Sequence, residues 1–382
     1  MKKIIRISTV AQSLGTLLKG QLRFMNNHYE IIGIANKADM LDIVGKDEGI
    51  RTIAVDMSRT ITPFRDLKNL YQLYLIFKKE KPFIIHTHTP KAGTLGMLAA
   101  RLAGVPNRLH TVAGLPLLEA TGLKRQLLNL VEKITYANAT LILPNSYGLQ
   151  FIIKEHKFTS DKKLKIIGKG SSNGINTNYF NKINISASLQ NELKQTLNIS
   201  DDDFVFIFVG RLVADKGINE LISAFKRIFI NYKKIKLLLV GSTESELDPL
   251  SSRTIKEIKL NKNIIALGWQ EDVRPYFAIS NALVFPSYRE GFPNAVLQAC
   301  AMELACIATD INGCNEIITH NKNGLLIRPK DEESLLQAMQ YLINNPDKTK
   351  VFANSSRTVI LKNYKNEIVW KELLDLYRSL ET

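Results

Sequence analysis

The chain has 382 residues, 45% of them hydrophobic and 23% charged, and a formal net charge of +15. That length holds two domains with full cores, and the composition excludes disordered and collagen-like classes. Three cysteines, Cys300, Cys306 and Cys314, are too few for a four-ligand zinc site and odd in number for a disulfide framework, which points to reduced thiols.

Met1-Lys-Lys leads into the short strand-like run Ile4–Thr9 instead of the long apolar core of a signal peptide. No uninterrupted apolar stretch is long enough to cross a bilayer, so a cytoplasmic protein is expected. Further strand-like runs follow at Glu30–Ala35, Arg51–Asp56, Phe83–His88, Arg108–Val112, Thr140–Pro144 and Leu164–Gly168. A polar pause, Asn178–Asp203, precedes a second series at Phe204–Gly210, Lys236–Gly241, Ile264–Gly268, Ala282–Pro286, Cys306–Asp310 and Gly324–Arg328. Helical patterns separate the runs, which predicts parallel sheets covered on both faces. Thirteen strands are many for one sheet. The fold class expected is therefore α/β, with two doubly wound, Rossmann-like domains facing across a cleft, at residues 1–178 and 179–359. A last helix, about Asn366–Leu380, has an apolar face of Val369, Trp370, Leu373, Leu374, Leu376 and Tyr377. It is expected to pack back on the first domain within residues 360–382, as core only.

The positive charge is unevenly placed. Residues 1–180 contain 26 Lys and Arg against 12 Asp and Glu, a surplus of +14; residues 181–382 contain 25 against 24. A basic first half can face nucleic acid, anionic lipid or a phosphorylated substrate, or be an ordinary solvated surface. No nucleic-acid motif accompanies it and aromatic residues do not interleave with the basic ones, so nucleic acid is not expected as a partner.

In doubly wound sheets ligands bind beyond the carboxyl ends of strands, so the loops there matter most. In the first half, His86 and His88 alternate along one run and continue into Pro90-Lys-Ala-Gly93; metal binding is the minority reading of that pair. His110 ends another run, either as a structural histidine or as a donor to a sugar hydroxyl. In the second half, Asp201-Asp-Asp203 precedes a strand and reads as a solvated turn. Gly210-Arg-Leu-Val-Ala-Asp-Lys-Gly217 then follows a strand. Its cations Arg211 and Lys216 can clamp a diphosphate, each charge-assisted bond contributing roughly 1.5–3 kcal/mol. Gly241 and Trp269 end the next two strands; Trp269 either flanks a base or is structural. Ser287-Tyr-Arg-Glu-Gly-Phe-Pro-Asn294 follows a further strand, with the acid Glu290 in the turn and Pro293 placed for the first turn of a helix. A carboxylate beside a helix start suits a ligand with hydroxyls at one end and phosphates at the other.

These pieces in this order resemble the family 4 glycosyltransferases, retaining enzymes with the GT-B fold. The specific parts are Val209-Gly-Arg-Leu with Asp215-Lys-Gly, the run Pro286 to Asn294, Thr309-Asp-Ile-Asn-Gly-Cys-Asn-Glu316 and Asn323-Gly-Leu-Leu326. His86-Thr-His-Thr-Pro-Lys-Ala-Gly and His110-Thr-Val-Ala-Gly-Leu-Pro agree. Within the family the chain looks most like bacterial enzymes that build capsule, O-antigen or protein-linked glycans.

The resemblance implies roles. Arg211 and Lys216 would hold the donor diphosphate, with Gly210, Gly241, Trp269, Gly291 and Phe292 around the donor. Glu290 would contact the donor sugar, and the amides of Asn294, Ala295 and Val296 the distal phosphate. His110 would sit near the reacting carbon. His88 and Lys91 would lie on the acceptor side, as would Ser13, Leu14 and Gly15 of the loop Val10–Gly15, which would close over the phosphates. The family's second glutamate, which binds ribose, is replaced here by Gln298, and the N-terminal loop lacks paired glycines.

The expected reaction is transfer from a nucleotide-diphosphate sugar, with UDP as the expected carrier, keeping the anomeric configuration and needing no metal cofactor. The expected acceptor is a lipid-linked or oligosaccharide glycan, such as a polyprenyl-diphosphate-linked sugar of surface polysaccharide synthesis. The basic half would rest peripherally on the anionic inner face of the membrane through Lys2, Lys3, Lys19, Arg23, Arg59, Arg65, Lys91, Lys124 and Arg125. Two alternatives are a UDP-sugar epimerase of the same fold and a non-catalytic basic module binding membrane or nucleic acid.

Overall fold

Strand β1 (Lys3–Ile7) is buried from Ile4 onward, as a parallel strand covered on both faces must be. It lies mid-sheet in a computed structural model that describes residues 1–58, 60, 62–244 and 248–381. The chain divides into two compact units, Met1–Gly174 with Asn366–Thr382, and Ile175–Lys365.

The first unit also contains β2 (Glu30–Ala35), β3 (Arg51–Ala54), β4 (Ile84–Thr87), β5 (Asn107–Val112) and β6 (Leu141–Pro144). All pair in parallel in the order β3-β2-β1-β4-β5-β6. The second unit contains β7 (Phe204–Val209), β8 (Ile235–Val240), β9 (Ile264–Gly268), β10 (Ala282–Phe285), β11 (Ala305–Thr309) and β12 (Leu325–Ile327). Their order is β12-β11-β10-β7-β8-β9, again all parallel. Both sheets are therefore doubly wound, with a reversal of strand order between β1 and β4 in one and between β7 and β10 in the other.

The expected strand Leu164–Gly168 does not form. Only Leu164 bridges, to Ile142 on β6. Gly168 and Gly170 then take φ of +54° and +102°, which turns the chain out of the extended region.

Fully buried Phe206, Phe208, Phe225 and Phe277 anchor the second core, each side chain contributing roughly 1.5–3 kcal/mol on burial. In the first unit the helix Asn366–Ser379 inserts Val369, Leu373, Leu374, Leu376 and Tyr377 among Ile4, Leu22, Met25 and Tyr29. Trp370 reaches Gly20 at φ +78°, where a Cβ would come within 2.8 Å of the indole. The indole Nε1 donates to Asn173 at 2.6 Å. No helix among the described residues is long and apolar enough to cross a membrane.

Candidate active site

At the reversal in the second sheet, the loops that follow β7 and β10 are fastened to one another. Gly217, at φ +70°, lies against the carbonyl of Pro286, where any Cβ would overlap it. The backbone carbonyl of Asp215 accepts from the amide of Tyr288 at 2.9 Å, and its carboxylate pairs with Arg289 at 2.8 Å. Its own amide donates to Asp248 at 2.7 Å. The consequence is an ion pair between Lys216 Nζ and Glu290 Oε1. Asn312 adds to it by donating its side-chain amide to the carbonyl of Glu290. Gly313 packs so closely on Gly291 that only glycine fits. The run Thr309–Glu316 thus props the Glu290 turn from behind.

The helix after this turn is Asn294–Ala301. Pro293 lies just before it in an extended conformation, not inside its first turn, since its ψ is 113°. No side chain caps the start, so the amides of Asn294, Ala295 and Val296 are those an anion could meet. Gln298 is partly buried on the same helix. Phe292 is buried, with its ring 5.3 Å from that of Tyr364.

Around the same strand ends, Gly210 and Gly241 have φ of +153° and +146°, and a Cβ on Gly241 would overlap the carbonyl of Gly210. Arg211 is half exposed and paired with Glu244 at 2.7 Å. Trp269 is 68% exposed, which removes the structural reading and leaves a broad apolar face in solvent after β9. A cavity of about 210 Å³ lies elsewhere in this unit, against the helices Ile218–Ile228 and Ser252–Leu260.

In the first unit, His110 does not end its strand but lies within β5, two residues before its end, and is buried, with Nδ1 2.8 Å from the Thr87 hydroxyl. Burial lowers its pKa to about 4, only partly offset by the Thr87 backbone, so the imidazole is neutral near pH 7. Gly93 makes room for it, since a Cβ there would overlap the ring. His86 hydrogen-bonds Tyr377 at 2.6 Å and Thr111 at 2.7 Å, and His88 accepts from Arg6 at 2.9 Å. Burial first, then charged or histidine neighbours, hold both well below the usual histidine range. No group of three or more potential metal ligands exists among the described residues.

Two expectations need correction. Val10–Gly15 is not a loop: Ala11–Leu17 is helical, and Leu14 is fully buried in the core. A Cβ on Gly15 would lie 2.8 Å from Val44, so this glycine serves helix packing; Ser13 is partly buried on the same helix. Lys91 is not a free surface cation, because it pairs with Asp66 in a largely buried contact.

Lys3 is likewise held by Glu80 at 2.6 Å, Lys2 by Glu381 at 3.3 Å, and Arg23 by the carbonyl of Asp47. Arg125 donates to the Leu117 carbonyl and to His156. Lys19, Arg65 and Lys124 are exposed, and Arg59 lies outside the described residues. Asp201 and Asp202 pair with Lys194 and Lys234 at the other end of β7, as a solvated turn does. The three cysteines are buried and free, and burial raises the thiol pKa of Cys314. Sequence reasoning gave no role to Glu244, Asn312 or Arg6; Asn312 stands in the quoted run Thr309–Glu316, Arg6 is a lone cation inside an apolar strand, and Glu244 left no signal.

Known proteins resemble this chain in sequence and in fold. The family model described as "Glycosyl transferases group 1" matches residues 190–359, and "Glycosyl transferase 4-like" matches residues 10–146. The capsular polysaccharide biosynthesis glycosyltransferase CapM of Staphylococcus aureus is 32% identical over 99% of this chain and 97% of its own length. The UDP-Gal:alpha-D-GlcNAc-diphosphoundecaprenol alpha-1,3-galactosyltransferase of Escherichia coli is 31% identical over 95% of this chain and 92% of its own. Among solved structures, HepE of Anabaena in complex with UDP and glucose superposes with a TM-score of 0.83, at 17% identity, over 99% of this chain and 100% of that one.

Proposed function

This chain belongs to the group 1, type 4-like glycosyltransferases of GT-B fold, and from that premise we propose that it moves a sugar from a UDP-sugar to a polyprenyl-diphosphate-linked glycan with retention. The observation that carries the proposal is the Lys216–Glu290 pair beside the uncapped start of the helix Asn294–Ala301. It puts a cation, a carboxylate and free amides at one sheet reversal. A nucleotide-diphosphate sugar needs all three.

In the proposed reaction the bond from the anomeric carbon to the diphosphate oxygen breaks, and a bond to the acceptor hydroxyl oxygen forms. The acceptor proton passes to the leaving phosphate. Arg211, Lys216 and the amides of Asn294, Ala295 and Val296 stabilise the growing negative charge without a metal. Glu290 holds the sugar hydroxyls, and neutral His110 offers a ring nitrogen on the acceptor side. Gln298 binds ribose without charge. The choice of acceptor follows the relatives, since the Escherichia coli enzyme acts on a diphosphoundecaprenol-linked sugar.

A membrane-linked acceptor also fits the first unit's surface. The helix Pro63–Glu80 exposes Phe64, Leu67, Tyr71 and Leu75, and the helix Gly122–Asn138 exposes Leu123, Leu127, Leu130 and Ile134. Both pack against the helix Pro90–Leu102 between them. Exposed Arg65, Lys68, Lys124 and Lys133 flank the two stripes. Apolar side chains ringed by cations suit an anionic bilayer surface, and we assign the chain a peripheral place there, on the cytoplasmic side.

The test is thermal stabilisation by UDP, GDP and ADP, on wild type and Lys216→Ala, followed by NMR of the product anomer. UDP at about 100 times its Kd should stabilise by roughly 2.7 kcal/mol, and Lys216→Ala should remove most of that. Equal shifts with all three nucleotides reject the UDP donor, and an inverted product anomer rejects retention.

A further inference from the structure

Arg6 lies on β1 directly beside β4, at the reversal of strand order in the first sheet, where a doubly wound sheet takes its ligand. Its side chain is fully buried. Nε donates to Nε2 of His88 at 2.9 Å, and Nη2 donates to Oε1 of Gln21 at 2.5 Å. Nη1 has no partner among the described residues. No carboxylate among the described residues pairs with the guanidinium. Apart from burial, the influence on this guanidinium comes from Tyr377, and no residue lining the adjoining cavity is acidic. A guanidinium does not give up its proton, so an uncompensated positive charge sits inside the unit, which is strongly unfavourable unless something pairs with it.

His88 supplies a second unused donor. The N–H of Arg6 Nε can only donate, so His88 Nε2 must accept. Burial keeps the ring neutral, which places its one proton on Nδ1. That Nδ1 also has no partner among the described residues. Asn145 follows β6, and its buried side-chain oxygen is unpartnered as well; turning the amide over would present its N–H groups instead. These side chains, with Ser171 and Ser172, line one cavity of about 20 Å³, room for a single water-sized atom.

We propose that this cavity is an anion subsite that takes one oxygen of an oxyanion, with Arg6 Nη1 and His88 Nδ1 as its donors. Two unspent donors beside a net positive charge select an anionic oxygen over water, which brings no charge. Free phosphate and the diphosphate of a lipid-linked acceptor both carry that chemistry. The second source rests on the function proposed above, and the first does not.

The experiment titrates inorganic phosphate and farnesyl diphosphate calorimetrically into the full chain, with UDP in excess, on wild type and Arg6→Met. Wild type should bind phosphate, and the variant should bind it at least about tenfold more weakly. Tighter binding of farnesyl diphosphate than of phosphate names the acceptor head group as the occupant; equal affinity names free phosphate. No phosphate binding by wild type, or the same affinity in both proteins, overturns the site. Should Arg6→Met not fold, wild-type crystals soaked in bromide decide the matter: an anomalous peak in the cavity supports the subsite, and water there overturns it. Failure of UDP to bind wild type would count against the donor proposal alone, because the phosphate comparison can be made without it.

Discussion

Lys216 and Glu290, 74 residues apart in the chain, form an ion pair in which each side chain is only 15% exposed. Each therefore satisfies the other, and a diphosphate that takes Lys216 must compete with Glu290. The carboxylate that is to hold the sugar also restrains the cation that is to hold the phosphate.

Glu290→Gln should separate these two duties. With the competing charge gone, UDP should bind a few-fold more tightly, while kcat falls by about 100-fold because an interaction with the reacting sugar is lost. Isothermal titration and initial rates check the split. Parallel losses in UDP affinity and kcat would argue that Glu290 mainly supports the loop.

Gly241→Ala should be severe for stability. Its φ of +146° and the carbonyl of Gly210 leave no space for a Cβ, so the cost should be about 2 kcal/mol or more. Urea denaturation reads it directly. A variant as stable as wild type would mean that the β7 and β8 ends can shift apart.

The exposed stripe on the helix Gly122–Asn138 makes a surface prediction. Replacing Leu123, Leu127 and Leu130 together by Ser should leave the melting temperature within a few degrees. It should sharply reduce cosedimentation with phosphatidylglycerol vesicles. Binding that ignores both the triple change and the anionic lipid content would reject this face as the docking surface.

Stability should fall on mild acidification. His110 has a folded pKa of about 4, and burial also holds His86 and His88 well below their ordinary value. On unfolding each returns to about 6.5. Above that pH these groups contribute no slope. As pH falls from 6.5 toward 4, the unfolded chain binds protons that the folded chain refuses, which costs about 1.4 kcal/mol per pH unit for each histidine. Urea midpoints at pH 7.5, 6 and 5 test this; a midpoint unchanged at pH 5 would mean that the imidazoles protonate without unfolding.

Much of this was legible beforehand because alternation of apolar runs and helical patterns reports a parallel sheet directly. Glycines after β7 and β8 marked the ends where ligands bind. The pairing of Lys216 with Glu290 was not legible, since it depends on the reversal of strand order between β7 and β10, which no local pattern encodes. Val10–Gly15 was misread for a related reason: its helix has no side-chain cap, so nothing local contradicted a loop. The apolar face of the last helix marks Tyr377 as core, and it is buried, yet its hydroxyl also reaches His86, 291 residues away in the chain. Arg6 stood in plain sight, but a cation in a strand says nothing of partners until its neighbours are known.

The helix Asn366–Ser379 closes a core whose other members leave the ribosome first. Leu22, Met25 and Tyr29 are made long before their packing partners Val369, Leu373 and Tyr377. Domains usually fold in the order of synthesis. Here that order is inverted for part of the molecule: Ile175–Lys365 is complete while the earlier unit still awaits its final helix. Until the helix Asn366–Ser379 has been made, the nascent protein carries an uncovered apolar seam, and a chain cut near residue 365 would have a finished second unit joined to a first that cannot close.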